Sequence, residues 1–199
     1  MNNTKLIGIT GNIGSGKSVV ANYLKSKSYF VLDADEIVSK IYDSSRYQKI
    51  KEKIKQILPE CVKKGRLIKK CIKNIIFNNK EKKEQLESII HPIVIDEIIK
   101  TQKKIKQNPK YNKSFAFFVV PLLYEKKLEY LFDEVWMIFA PTNICIKRII
   151  KRDKINEDLV KKIMENQMNP LEKVKKADKV IINDKDIESL YNQLDKLVP

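Results

Sequence analysis

Apolar positions along the chain follow two spacings. Unbroken runs occur at Lys5-Leu6-Ile7-Gly8-Ile9-Thr10, Tyr29-Phe30-Val31-Leu32, Phe115 to Val120, Val135 to Ala140 and, more weakly, Val180-Ile181-Ile182. They have the length and the β-branched or aromatic content of strands covered on both faces. Between them apolar residues recur at helical intervals: Val20, Tyr23 and Leu24, then Ile37, Val38 and Ile41, and finally Ile187, Leu190, Tyr191, Leu194 and Leu197. From about Ser45 to Gln107 only the helical spacing is present, as in Ile50, Ile54, Ile57 and Leu58, with breaks predicted at Pro59, Gly65 and Pro92. Residues 107–112 read as a loop. Strands alternating with helices predict an α/β fold in three layers, around a central parallel sheet of about five strands joined by right-handed crossovers. No repeat or low-complexity linker divides the 199 residues, so one domain is expected.

The first run ends at Gly11-Asn12-Ile13-Gly14-Ser15-Gly16-Lys17-Ser18, which fits G-x-x-x-x-G-K-[ST] at every fixed position and lies between a predicted strand and a predicted helix. Glycines there let the backbone curl so that successive N–H groups face phosphate oxygens, with the positive end of the helix dipole behind them. Lys17 is placed to reach the β- and γ-phosphates of ATP, and the Ser18 hydroxyl to ligate Mg2+. Four of the five glycines, Gly8, Gly11, Gly14 and Gly16, fall in this stretch, which makes a chance match improbable. The motif alone leaves kinase, GTPase and ATPase open. A guanine-reading N-K-x-D and a D-x-x-G switch are both missing, and Phe117-Phe118-Val119-Val120 runs into Pro121 rather than into Asp-Glu. A small-molecule kinase fits best.

Composition changes the picture little. The formal charge of +15 suggests a polyanion partner, yet of 40 basic residues only Arg46, Arg66, Arg148 and Arg152 are arginine, and the lysines are scattered. A solvated lysine surface is expected, with no nucleic-acid partner. Cys61, Cys71 and Cys145 are odd in number and form no C-x-x-C pair, so they are expected as reduced thiols of a cytoplasmic protein. No leader-like segment and no run near the roughly 20 apolar residues of a membrane span is seen, so a soluble protein is expected. The oligomeric state is not legible.

Ligands of parallel α/β sheets sit at the carboxyl ends of strands. Asp33 is therefore the candidate to orient an acceptor hydroxyl and take its proton, whereas Asp35 suits a helix cap as well as a substrate contact. Arg148 and Arg152, one helical turn apart, can both face polyphosphate. His91-Pro92 reads as a helix boundary, and Pro121 to Glu125 follows a strand end, where it can shape an acceptor pocket.

Together, GNIGSGKS, the acidic turn at 33–35, His91-Pro92, PLLYE at 121–125, RIIKRD at 148–153, Gln167, Ala177-Asp178 and Ile182-Asn183 resemble the dephospho-coenzyme A kinases in order and spacing, over nearly the whole chain. The resemblance implies a P-loop kinase fold with a core (1–44, 113–145 and 177–199), a helical coenzyme A region inserted at about 45–112, and a helical lid at about 146–176. It implies ATP and Mg2+ as cofactors and dephospho-coenzyme A as the substrate. Lys17, Asp33, Arg148 and Arg152 would then be catalytic, and Asn183 would join the loop in holding nucleotide. Asp35, Lys69, His91, Leu122 and Glu125 would join Asp33 at the substrate. Where the family has glycine, two residues, an acid and arginine, this chain has Gly65-Arg66-Leu67-Ile68-Lys69; Lys162 likewise stands for an arginine and Asp184 for a glycine. Two alternatives stay open at this point, a P-loop kinase for a nucleotide or nucleoside and a nucleic-acid-binding P-loop protein.

Overall fold

The computed structural model describes residues 3–198. It divides into two compact units, residues 1–33 with 102–199, and residues 34–101.

The first unit holds the parallel sheet. Strand β1 (Lys5–Thr10) passes through the glycine loop into helix α1 (Lys17–Ser26), and β2 (Phe30–Asp33) follows. The chain leaves this unit through α2 (Ala34–Asp43), α3 (Gln48–Ile57), β3 (Val62–Lys63), β4 (Arg66–Leu67), α4 (Lys69–Asn78) and α5 (Lys80–Gln107). It continues with β5 (Phe115–Val119), β6 (Glu134–Phe139), α6 (Thr142–Asp153), α7 (Glu157–Glu165), α8 (Pro170–Lys176), β7 (Lys179–Ile182) and α9 (Ile187–Asp195). The five-stranded sheet has the order β2-β5-β1-β6-β7, with every pairing parallel. Each predicted strand is present, displaced by a residue at most at either end.

The core of this unit forms where apolar residues of the strands meet α1 and α9: Ile7, Ile9, Phe117, Val119, Trp136 and Ile138 lie against Val20, Leu24, Leu190 and Leu194. Trp136 is fully buried, with its ring centroid 5.4 Å from that of Phe117, and its indole N–H is satisfied by Glu134 at 3.0 Å. Two carboxylates set the strand register at the opposite end from the loop. Asp133 accepts Leu6 N–H at 2.7 Å and Asp178 accepts Val135 N–H at 2.7 Å, so backbone donors at strand starts are not left unpaired.

The second unit is mainly helical, with two departures from expectation. First, α5 runs through Pro92 without ending there. Proline removes one backbone donor, but Leu86, Ile90, Val94 and Ile98 keep one buried stripe on both sides of it, so packing outweighs the lost bond. His91 is thus half-buried inside a helix rather than at a helix boundary. Second, Cys61 and Cys71 are not reduced thiols: they form a disulfide across the β3–β4 hairpin. Ten residues of sequence separate them, but the turn at Lys64-Gly65, both with positive φ, folds the chain back so that their Cα atoms lie 5.3 Å apart. Cys145 is the buried free thiol expected. No helix among the described residues is long and apolar enough to cross a membrane.

Candidate active site

The glycine loop leaves β1 at the sheet's carboxyl end, next to β5 on one side and β6 on the other. Its shape is imposed by neighbours. Gly11, Gly14 and Gly16 have φ of 154°, 79° and 100°, and a Cβ on each would meet Ile138 O at 2.5 Å, Cys145 O at 2.7 Å and Asn183 Nδ2 at 2.0 Å respectively. Backbone of β6, the first turn of α6 and the residue after β7 therefore form a close-fitting mould around the loop. The Cys145 thiol in that wall is pushed up by burial, which keeps it neutral and unreactive.

Helix α1 starts at Lys17 with Gly16 as its N-cap, no side-chain cap bond and no acidic residue in its first turn. A glycine-lined helix start whose dipole is met by no acidic residue favours an anion. Lys17 Nζ donates to Gly11 O at 2.7 Å and Asn12 O at 3.1 Å, which arches the ammonium over the loop. Ser18 is exposed on the same turn. Asn12 is buried, and Ser15 N–H donates to Asn12 O at 3.1 Å across the curl.

Register places Asp33 beside this loop. Asp33 pairs with Val119, and Val119 with Ile9, which lies two residues before Gly11. Two strand spacings, about 10 Å, thus separate Asp33 from the base of the loop within one sheet. Since α2 begins at Ala34, Asp33 occupies the position flanking the helix, and Asp35 lies inside its first turn, exposed, where a carboxylate favours the dipole. The cap position expected at Asp35 is therefore Asp33's.

On the other side of the loop, Arg148 donates to Asn183 O at 3.1 Å and to Asn183 Oδ1 at 3.3 Å, while Asn183 Nδ2 donates to Ser15 O at 2.7 Å. Asn183 is buried and links three elements: its N–H donates to Phe139 O at 2.7 Å. Around this link lies a pocket of about 210 Å³ lined by Gly16, Val19, Arg148, Asn183, Ile187 and Leu190. Arg152, one turn on, is exposed and makes a bidentate pair with Asp153, both contacts 2.8 Å.

The remaining expected residues belong to other segments. Leu122 is half-buried in the turn after β5. Glu125 of that turn faces Lys173 at 2.7 Å and accepts Met168 N–H at 2.9 Å. Asp35, Lys69 and His91 belong to the second unit, where Lys69 Nζ donates to Asp43 at 2.6 Å and Ser39 at 2.7 Å. Sequence reasoning missed the inward role of Asn12 and Gln167: Asn12 Nδ2 donates to Met168 O at 3.1 Å, and Ile13 N–H donates to Gln167 at 2.9 Å. Gln167 stood out in the motif order, but nothing in its spacing indicated the contact.

A sequence model of the dephospho-CoA kinase family matches residues 5–189. A dephospho-CoA kinase of Fusobacterium nucleatum is 37% identical over 193 residues, covering 96% of this chain and 95% of that protein. Among solved structures, a Thermus thermophilus protein superposes with a TM-score of 0.80 at 30% identity, over 98% of this chain and 96% of its own. The dephospho-CoA kinase of Campylobacter jejuni does so with a TM-score of 0.67 at 27% identity, over 100% and 98%.

Proposed function

Because this chain belongs to the dephospho-CoA kinase family and is a P-loop kinase, we propose that it transfers the γ-phosphoryl group of ATP to the ribose 3′-hydroxyl of dephospho-CoA, the last step of coenzyme A biosynthesis. The observation that carries the reading is the pairing register that sets Asp33 two strands from the moulded phosphate loop on the same sheet edge. ATP phosphates occupy the loop and the α1 N-terminus, with Lys17 on the transferring group. A planar base fits the pocket walled by Gly16, Arg148 and Ile187, where a guanidinium plane can stack on it. That assigns Arg148 to the nucleoside, while Arg152 remains the residue for phosphate charge and exchanges Asp153 for phosphate oxygens as the lid segment closes.

Mg2+ suits this donor set: it is commonly held by few protein oxygens together with phosphates, and the exposed Ser18 hydroxyl on the first turn of α1 is such an oxygen. When bound, the ion would neutralise phosphate charge as it develops. Asp33 orients the acceptor hydroxyl and receives its proton. Asp35, Lys69, His91 and Leu122 are proposed contacts for the remainder of the acceptor. A cytoplasmic location belongs to the same reading.

Purified chain incubated with ATP, Mg2+ and dephospho-CoA should yield CoA, whereas Asp33→Asn, which keeps the shape but not the base, should lower kcat by about 10²–10⁴-fold with ATP binding retained. Turnover of a nucleoside or nucleoside monophosphate in place of dephospho-CoA would defeat the substrate assignment. Undiminished kcat in Asp33→Asn would remove the proton role.

A further inference from the structure

Three segments distant in sequence meet behind the phosphate loop. The link between α7 and α8, residues 166–169, is held from both sides: Asn12 Nδ2 donates to Met168 O at 3.1 Å, and Met168 N–H donates to Glu125 Oε1 at 2.9 Å. Glu125 Oε1 also meets Lys173 Nζ at 2.7 Å, and Lys173 is fully buried. That ammonium further donates to Pro121 O at 3.4 Å, a carbonyl that takes Thr10 Oγ1 at 3.2 Å just before the loop begins. Adjacent to this network, Gln167 Oε1 takes the N–H of Ile13, the loop residue next to Asn12.

This assembly is a poor device for stability alone. A largely desolvated lysine–carboxylate pair contributes little net free energy, because the cost of dehydrating the charges offsets their attraction, and apolar residues of the same volume would serve as well. What charges and directed hydrogen bonds add is fixed geometry. Here the groups fixed are the peptide between Asn12 and Ile13 and the end of the segment that carries Arg148 and Arg152 in α6 and continues through α7.

We propose that Gln167 and Glu125 are positioning residues for the phosphoryl transfer. Gln167 holds the Ile13 peptide in the curl of the loop. Glu125, neutralised by Lys173, fastens Met168, so that the lid segment moves about an end anchored to the phosphate loop. Glu125 thereby acts through the loop and not by contact with the acceptor. The inference rests on the kinase reading above.

The test is steady-state kinetics of the full-length protein with ATP and dephospho-CoA, together with melting temperatures. Gln167→Met keeps volume and removes the acceptor for Ile13; kcat should fall by about 10–100-fold, the cost of a misplacement on the order of 1 Å, with KM for dephospho-CoA within about twofold of wild type. Gln167→Glu, which keeps an acceptor oxygen, should recover most of that loss. Glu125→Leu combined with Lys173→Met removes both buried charges at once, so that neither is stranded and the fold is kept; it too should lower kcat at unchanged acceptor KM. Wild-type kcat in Gln167→Met or in the double variant, with only the melting temperature altered, would reduce the network to a structural staple and overturn the proposal. A raised KM for dephospho-CoA at unchanged kcat in the double variant would make Glu125 an acceptor contact and equally overturn it. If wild-type protein transfers only to some other acceptor, the substrate reading fails, and the positioning claim is judged by the same variant-to-wild-type ratios on that acceptor.

Discussion

The phosphate loop and the β3–β4 hairpin are both glycine turns in the left-handed region, yet they are held in opposite ways. Gly14 and Gly16 of the loop, at φ 79° and 100°, have backbone or side-chain atoms within 2.7 Å of where a Cβ would be; Gly65 of the hairpin, at φ 72°, has nothing within 4 Å. Glycine is thus required twice over in the loop, for its dihedral and for space, and once in the hairpin. The loop takes its shape from β6, α6 and Asn183, so its geometry belongs to the whole first unit. The hairpin takes its shape from within, through the Cys61–Cys71 bond and the Ile68 N–H donated to Cys61 O at 2.9 Å. A region that must present amides to a ligand is moulded from outside, and one that has only to hold a helix start is cross-linked.

The largest effect expected from this contrast is in the loop. Gly16→Ala would drive Cβ onto the Asn183 amide, 2.0 Å away, and dislodge the residue that joins Ser15 to Arg148. Its kcat/KM for ATP should fall by about 100-fold, as for a misplacement on the order of 1 Å. Near-normal ATP kinetics in this variant would show that the mould is dispensable.

A second test moves to the hairpin. Cys71→Ser opens a loop of ten residues' separation and should cost about 2–3 kcal/mol of unfolding free energy, read from denaturant titration of oxidised protein. Nucleotide affinity should stay as in wild type, since the bond lies wholly in the second unit. Loss of ATP binding on cutting the disulfide would erase the distinction drawn between the two turns.

The smallest expected change is a gain. Helix α4 has Ile68 as its N-cap, with no side-chain cap bond and no acidic residue in its first turn. Ile68 is exposed, so Ile68→Asp should add about 1 kcal/mol by capping. An unchanged or lowered stability would mean that the disulfide already fixes this helix start.

These regions also differ in how far the sequence foretells them. The strands are legible because residues covered on both faces must be apolar in a continuous run, as Phe115 to Val119 are. The loop is legible because its mould tolerates only glycine at three places. Asp33 follows from strand-end reasoning, and its register with Val119 agrees with that placement. The hairpin was hidden: β3 and β4 are two residues each, too short for any alternation to register, and Lys64 at φ 50° sits where an asparagine or glycine would have announced the turn. The disulfide was hidden with it, since only the turn brings its cysteines together. Pro92 is a local breaker that the buried stripe from Leu86 to Ile98 overrides, and that stripe gains its weight only from tertiary packing. Glu125 and Gln167 show a different limit: their partners lie more than forty residues away, at Met168 for the first and Ile13 for the second, and no local pattern encodes such a pairing.

Lys69 stands at the position where the family pattern has an arginine, and it is already engaged with Asp43 and Ser39. An arginine fork has several donors to spare when one edge is occupied, whereas an ammonium on two short hydrogen bonds keeps a single N–H. An anion that displaced the Asp43 carboxylate from Lys69 would exchange one negative group for another. In such an exchange the local charge before and after is nearly the same, so added salt screens the ion pair that breaks about as much as the one that forms. Such a swap would be decided by geometry and hydrogen bonding more than by charge.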